Sequence, residues 1–274
     1  MKKLIWKIVL AASLLLMVIA ATNIALLIRE YQKGINTYAN LEKYATVTQD
    51  SVKAAQEIKD TADSGNTEEA VEEVIEGPQI AVDLDIDYDA LTKINGDFVG
   101  WIYYAPLELS YPIVRGIDND YYTHYTFENV RNSSGAIFMD FLNKPDFSHF
   151  NTIIYGHNME GNMMFANLNR YEQPEFLKLC PEIEILTPER KFLYRIFSVE
   201  QASSHSPAFE YGYELSSSAY KRQLSVLKNN SMYDTGVEPN ETERMVTLIT
   251  CNSHLDKEIR MAVHGICYEI EKAE

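Results

Sequence analysis

The pattern of apolar and polar positions divides the chain near residue 30. Ile8 to Ile28 holds no charged side chain and is built mostly of Leu, Ile, Val, Ala and Met. As a helix this run is about 30 Å long, the thickness of a bilayer's hydrocarbon core. Lys2, Lys3 and Lys7 precede it, and positive residues stay on the cytoplasmic side, so the remainder of the chain is expected outside the membrane. Ala20 and Ala21 offer a cleavage position, but the run exceeds the roughly 7–15 apolar residues of a removed leader, which favours a retained anchor. Ile28, Tyr31, Ile35, Tyr38, Leu41 and Tyr44 then recur at three- and four-residue steps on one helical stripe. The helix therefore continues outward, as a solvated stalk or folded back on the domain. Residues 60–85, rich in Asp, Glu, Ser, Gly and Thr and broken at Gly77–Pro78, read as an extended acidic linker.

From about Tyr88 the pattern changes to short runs of β-branched and aromatic residues between turn residues, which predicts an all-β barrel or sandwich with added helices. Strands are expected near 98–104, 110–115, 134–140, 152–157, 182–187, 190–202, 244–251 and 260–271. Short helices are expected over 162–169 and 173–179. A clearer one starts from a cap at Ser216 or Ser217 and runs to about Asn229, with Tyr220, Leu224 and Leu227 on one face. There is no internal repeat. The expected division is a cytoplasmic tip and anchor over 1–30, a helical stalk and acidic linker over 31–85, and a globular domain over 86–274.

A length of 274 residues suits one such domain plus an anchor. The net charge is −16, but residues 60–92 contain 11 acidic side chains and no Lys or Arg, so the folded part is only mildly acidic. No basic stripe follows the N-terminal lysines, which sets nucleic-acid binding aside. Three cysteines, Cys180, Cys251 and Cys267, are too few and odd in number for a disulfide framework. A thiol left over on an exported chain is open to oxidation, so its presence hints at a use.

Three local features carry candidate chemistry: YGHNM from Tyr155 to Met159, TLITC from Thr247 to Cys251, and Arg260 opening the last strand. In RMVTLITC the apolar run ends at the cysteine, so Cys251 is expected at a strand terminus, although a buried cysteine packing as a small hydrophobe is the plainer reading of any single thiol. Cys267, inside AVHGICYEI, and Cys180, beside Pro181, take that plainer reading. His157 likewise ends a strand, which would place it on the same rim as Cys251. His264 lies mid-strand and reads as packing. His124, His149, His205 and His254 lack metal-ligand spacing, so no zinc site and no cofactor are expected.

Taken together, TLITC, the upstream YGHN and the downstream Arg resemble the TLxTC cysteine, catalytic histidine and catalytic arginine of sortases. YPIVRGIDNDYYTH (Tyr111 to His124), GAIFMDF (Gly135 to Phe141) and NTIIYGHNM (Asn151 to Met159) resemble class B segments, so the likeness runs from about Tyr88 to the C-terminus. It implies an eight-stranded barrel, with Cys251 as nucleophile, His157 as proton-transfer partner and Arg260 as oxyanion-stabilising cation. Asn119, Thr123 and Thr250 are the candidate substrate-binding positions. Ile249 and Asn252 stand where some class B members carry a serine and an acidic residue, a departure that bears on substrate preference.

The resemblance further implies a cysteine transpeptidase that cuts a sorting signal in surface proteins, holds the acyl fragment on cysteine and passes it to an amine of the cell wall or a pilin. Papain-like hydrolases also use Cys and His, but there the cysteine comes first in the chain and begins a helix. An anchored β-domain that binds a surface ligand without catalysis is the other reading the residues leave open.

Overall fold

The computed structural model describes residues 2–48, 84–104, 109–203, 205–251 and 259–272. Most of the acidic linker, and Asn252, lie outside the described residues. Helix α1 runs unbroken over Lys2–Leu41. Its apolar part is exposed along its whole length, and its few polar side chains turn back on their own helix: Thr22 Oγ1 donates to the Val18 carbonyl at 2.8 Å and Asn23 Nδ2 to that of Ile19 at 3.0 Å. Such internal pairing is what an apolar surrounding demands of a polar side chain. Beyond the span the periodic stripe turns inward. Tyr38 and Leu41 are buried in the main core, and the chain continues into strand β1 (Ala45–Val47), which pairs antiparallel with β2 (Leu84–Ile86). Helix α2 (Tyr88–Ile94) follows, with the Asp87 side chain accepting from Ala90 N at 2.9 Å as its cap.

Eight strands close a barrel: β3 (Phe98–Tyr104), β4 (Leu109–Val114), β5 (Ile137–Met139), β6 (Asn151–Gly156), β7 (Glu182–Leu186), β8 (Arg190–Ser203), β9 (Met245–Cys251) and β10 (Ile259–Lys272). Around the ring their order is β10, β8, β7, β3, β4, β5, β6, β9. The β4–β5 and β6–β9 pairs are parallel and the others antiparallel. Closure leaves these strands without free edges. Helices α3 (Tyr121–His124) and α4 (Pro174–Leu179) sit in the connections. Helix α5 (Ser218–Asn230) is capped by Ser217 and buries Tyr220, Leu224 and Leu227.

Two apolar clusters explain why β9 reads as a continuous apolar run. Val246 and Leu248 join the main core, whereas Met245 and Ile249 join Tyr220, Leu224 and Leu227 of α5 in a second cluster. The alternation of period two is present, but both faces are covered, so the sequence shows no polar face. The strands expected from sequence all form, within a few residues at their ends. The 162–169 segment forms two short 3₁₀ turns, Glu160–Asn162 and Ala166–Glu172, in place of one helix.

Candidate active site

Strand register places the cysteine-bearing strand between two others. In the antiparallel β9–β10 pair Cys251 lies opposite Arg260, and in the parallel β6–β9 pair Gly156 lies opposite Thr250. His157 directly follows Gly156 at the end of β6, the same end at which Cys251 closes β9. Directly opposed antiparallel residues have Cα atoms about 4.5–5.5 Å apart, so Arg260 and Cys251 are neighbours, and the adjacent ends of β6 and β9 bring His157 to the same barrel rim. The Cys251 side chain lies outside the described atoms, and its place is given by its backbone.

The glycine before His157 is required by space. A Cβ on Gly156 would lie 2.5 Å from Ile137 Cδ1 and 2.7 Å from Phe165 Cγ, so any side chain there would push β5 and Phe165 away. Behind the imidazole stands Gly135, with φ +56; a Cβ there would meet the Tyr122 carbonyl at 2.6 Å and His157 Cδ2 at 3.1 Å. His157 Nε2 lies 2.7 Å from the Thr123 carbonyl. A carbonyl can only accept, so Nε2 carries a proton and Nδ1 is the nitrogen left to exchange one.

His157, Arg260, Asn119, Thr123 and Thr250 all line one open cavity of about 350 Å³, together with Phe138, Tyr155, Gly156, Phe209 and Ile249. All six sequence-derived site positions, Cys251 by its backbone, thus converge on one rim. The Arg260 guanidinium carbon lies 6.0 Å from the centre of the Phe209 ring, within cation–π range. Its Nε is buried and makes no hydrogen bond among the described residues, and the same holds for Thr250 Oγ1. Buried polar atoms of this kind are costly unless a ligand satisfies them.

The sequence reading missed Asp140, Tyr155 and Phe209. The Asp140 carboxylate, only 6% exposed, accepts from Asn119 Nδ2 at 2.8 Å and from Tyr155 Oη at 2.9 Å, while Asn119 Oδ1 accepts from Phe141 N at 3.0 Å. This pins two cavity-lining side chains to one anion. Burial, reinforced by the adjacent Asp140 charge, pushes the Tyr155 hydroxyl well up, so it remains a donor. Local sequence carries no signal of these contacts, because the partners come from separate strands and loops. Among the described residues no group of three or more His, Cys, Asp or Glu gathers as metal ligands.

The two other thiols differ in setting. Burial pushes Cys180 up to about 12 and Cys267 up to about 11, values at which neither forms thiolate near neutrality.

A closed barrel that carries a histidine, an arginine and a cysteine-ended strand to one rim suits a thiol-dependent acyl-transfer enzyme, and comparison with known proteins gives the family. A family model described as a sortase domain matches residues 105–266. The chain is 34% identical to sortase B of Listeria monocytogenes over 176 residues, covering 64% of this chain and 71% of that protein. It is 32% identical to sortase B of Staphylococcus aureus over 164 residues, 60% of this chain and 67% of that one. A solved Staphylococcus aureus sortase B–substrate complex superposes with a TM-score of 0.62 at 30% identity, covering 68% of this chain and 85% of that structure. The chain belongs to the sortase family, in class B, and is a cysteine transpeptidase that acts on surface proteins. This sets aside the non-catalytic alternative.

Proposed function

We propose that Cys251 attacks the scissile carbonyl of a sorting-signal peptide and forms a thioacyl-enzyme, which an amine of the cell wall or a pilin then resolves. In the first half-reaction the Cys251 thiolate bonds to the carbonyl carbon, and the carbon–nitrogen bond breaks as His157 gives a proton to the leaving nitrogen through Nδ1. In the second, neutral His157 takes a proton from the incoming amine, which bonds to the carbonyl carbon as the carbon–sulfur bond breaks. Arg260 stays charged throughout and donates to the oxyanion; losing a donor of this kind costs about 10²–10³ in rate. The observation that carries this reading is the paired register, with Arg260 opposite Cys251 on one side and Gly156 opposite Thr250 on the other. Asn119, Thr123 and Thr250 contribute the polar wall along which the peptide lies. That a Staphylococcus aureus relative is described as a substrate complex supports a peptide-binding role for the cavity.

The test is to incubate the detergent-solubilised chain with a library of sorting-signal peptides and locate the acyl adduct by mass spectrometry of digested protein. An adduct on Cys251, absent in Cys251→Ala and discharged by added triglycine, is expected. An adduct on Cys180 or Cys267, or unchanged cleavage by Cys251→Ala, would overturn the assignment. The same reading takes Ile8 to Ile28 as a retained single-pass anchor with the barrel outside the cell. Intact mass of the membrane-extracted protein checks this, and a mature N-terminus beyond Ala21 refutes it.

A further inference from the structure

Helix α1 docks on the domain directly beyond its apolar run. Along α1 the last residue of the apolar run, Ile28, is followed two residues later by Glu30, about 3 Å further along the axis. Glu30 already touches the barrel: its carbonyl accepts from Asn132 Nδ2 at 2.9 Å and its Oε1 from Ser133 N at 3.2 Å. One turn on, Gly34 lies so close to the same loop that a Cβ there would meet Asn132 Oδ1 and Ser134 Oγ, both at 2.9 Å. Tyr31 Oη would lie 2.6 Å from a Cβ on Gly161, in the loop that follows His157.

Headgroups extend about 5–8 Å beyond each edge of the hydrocarbon core. With Ile28 at the edge of the hydrocarbon core, Glu30 falls inside that layer, and so do the groups bonded to it. The neighbouring loop tip suits such a setting. Val130 is 51% exposed, and Arg131 beside it is also exposed, an apolar side chain next to a cation that can meet lipid phosphate.

We propose that the loop Glu128–Ser133 is a lipid-contacting surface that rests in the headgroup layer of the membrane anchoring α1, and that it holds the catalytic rim at the bilayer surface. The route from lipid to site is short. Tyr38 Oη donates to the Gly135 carbonyl, and Gly135 stands behind the His157 ring. Tyr38 lies about 15 Å beyond Ile28 along the axis, so the cavity opens close to the membrane and not at the end of a long stalk. The proposal rests on the anchor reading of α1, and its test separates the two.

Full-length Cys251→Ala protein is given one further cysteine at Val130, Leu15 or Ser225, labelled with a nitrobenzoxadiazole fluorophore, and inserted into vesicles of phosphatidylethanolamine and phosphatidylglycerol. Vesicles carry a nitroxide on either the headgroup or the mid-acyl chain. Cys180 and Cys267 are buried, and protein without an added cysteine reports any background they give. The Val130 probe is expected to be quenched by headgroup nitroxide, the Leu15 probe by acyl nitroxide, and the Ser225 probe, on α5, by neither. A quenched Leu15 probe with a Val130 probe as unquenched as Ser225 overturns the lipid contact and leaves the anchor standing. A Leu15 probe that no nitroxide quenches overturns the anchor and the proposal with it.

Discussion

In the proposed mechanism Arg260 and His157 divide the work of the rim by their chemistry. His157 is held through Nε2 by one carbonyl, so its other nitrogen is presented in one tautomer. Arg260 holds a fixed charge above Phe209 with a buried Nε still to be satisfied. Lysine would keep the charge and lose the planar fork. Arg260→Lys is therefore expected to lower kcat by about 10²–10³ with a much smaller change in KM, as when an interaction forms mainly in the transition state. Steady-state cleavage of a quenched sorting-signal peptide measures both constants, and an unchanged kcat would remove Arg260 from the mechanism. The thiols provide a second check at this scale. With Cys180 and Cys267 pushed up to about 12 and about 11, brief alkylation of native protein at pH 7 should modify one cysteine, Cys251, and tryptic mapping identifies it.

At the scale of elements, the outer half of α1 belongs to the packing of the domain. Tyr38 is buried, packs edge-on against Tyr111 with ring centres 5.3 Å apart, and donates to the Gly135 carbonyl, which fixes the backbone behind His157. Tyr38→Phe removes that donor and leaves a buried carbonyl unpaired, an expected loss of about 1–3 kcal/mol of stability. Tyr38→Ala adds a cavity and should cost about 3–5 kcal/mol, as large aromatic truncations do. Chemical denaturation of the two variants measures these losses. If both unfold at the wild-type midpoint, the helix does not belong to the domain's packing. The stripe of Tyr31, Tyr38 and Leu41 was legible as a helix face in the sequence. What it would pack against was not, because the Tyr38 partners Tyr111 and Gly135 lie far downstream, Gly135 by 97 residues, in segments that show no complementary period.

Across the whole molecule one buried polar chain ties four barrel strands together. Thr247 Oγ1 on β9 donates to Asn151 Oδ1 on β6 at 2.9 Å and lies 3.0 Å from His264 Nδ1 on β10, whose Nε2 is 3.4 Å from Glu200 Oε1 on β8. Ser206 Oγ also donates to Glu200, at 2.9 Å, and begins the turn that carries Phe209 to the cavity. Burial alone would raise the Glu200 carboxyl, but the His264 ring 3.4 Å away and the Ser206 hydrogen bond outweigh it and hold the carboxyl below its ordinary range. A carboxyl lowered on folding adds stability above its unfolded value and loses it as pH falls through the folded one. Glu200→Gln should therefore lower Tm more at pH 7 than at pH 3, and an equal loss at both would show that the carboxylate charge contributes nothing.

His264 was readable as a packed residue from its place within an apolar strand, and its burial agrees. Its partners could not be read, since Thr247, Asn151 and Glu200 are joined only by strand register. The same distinction runs through the protein. Local patterns determined the apolar span, the eight strands, the Ser217-capped helix and the strand-end positions of His157 and Cys251, because periodicity, capping and turn chemistry act over a few residues. Tertiary structure decided the closed ring, the docking of α1 beside Gly135, and the Asp140 anchor under Asn119 and Tyr155. These rest on contacts between residues far apart in the chain, where burial on both faces of β9 erases the polar alternation that would have shown which side each strand presents.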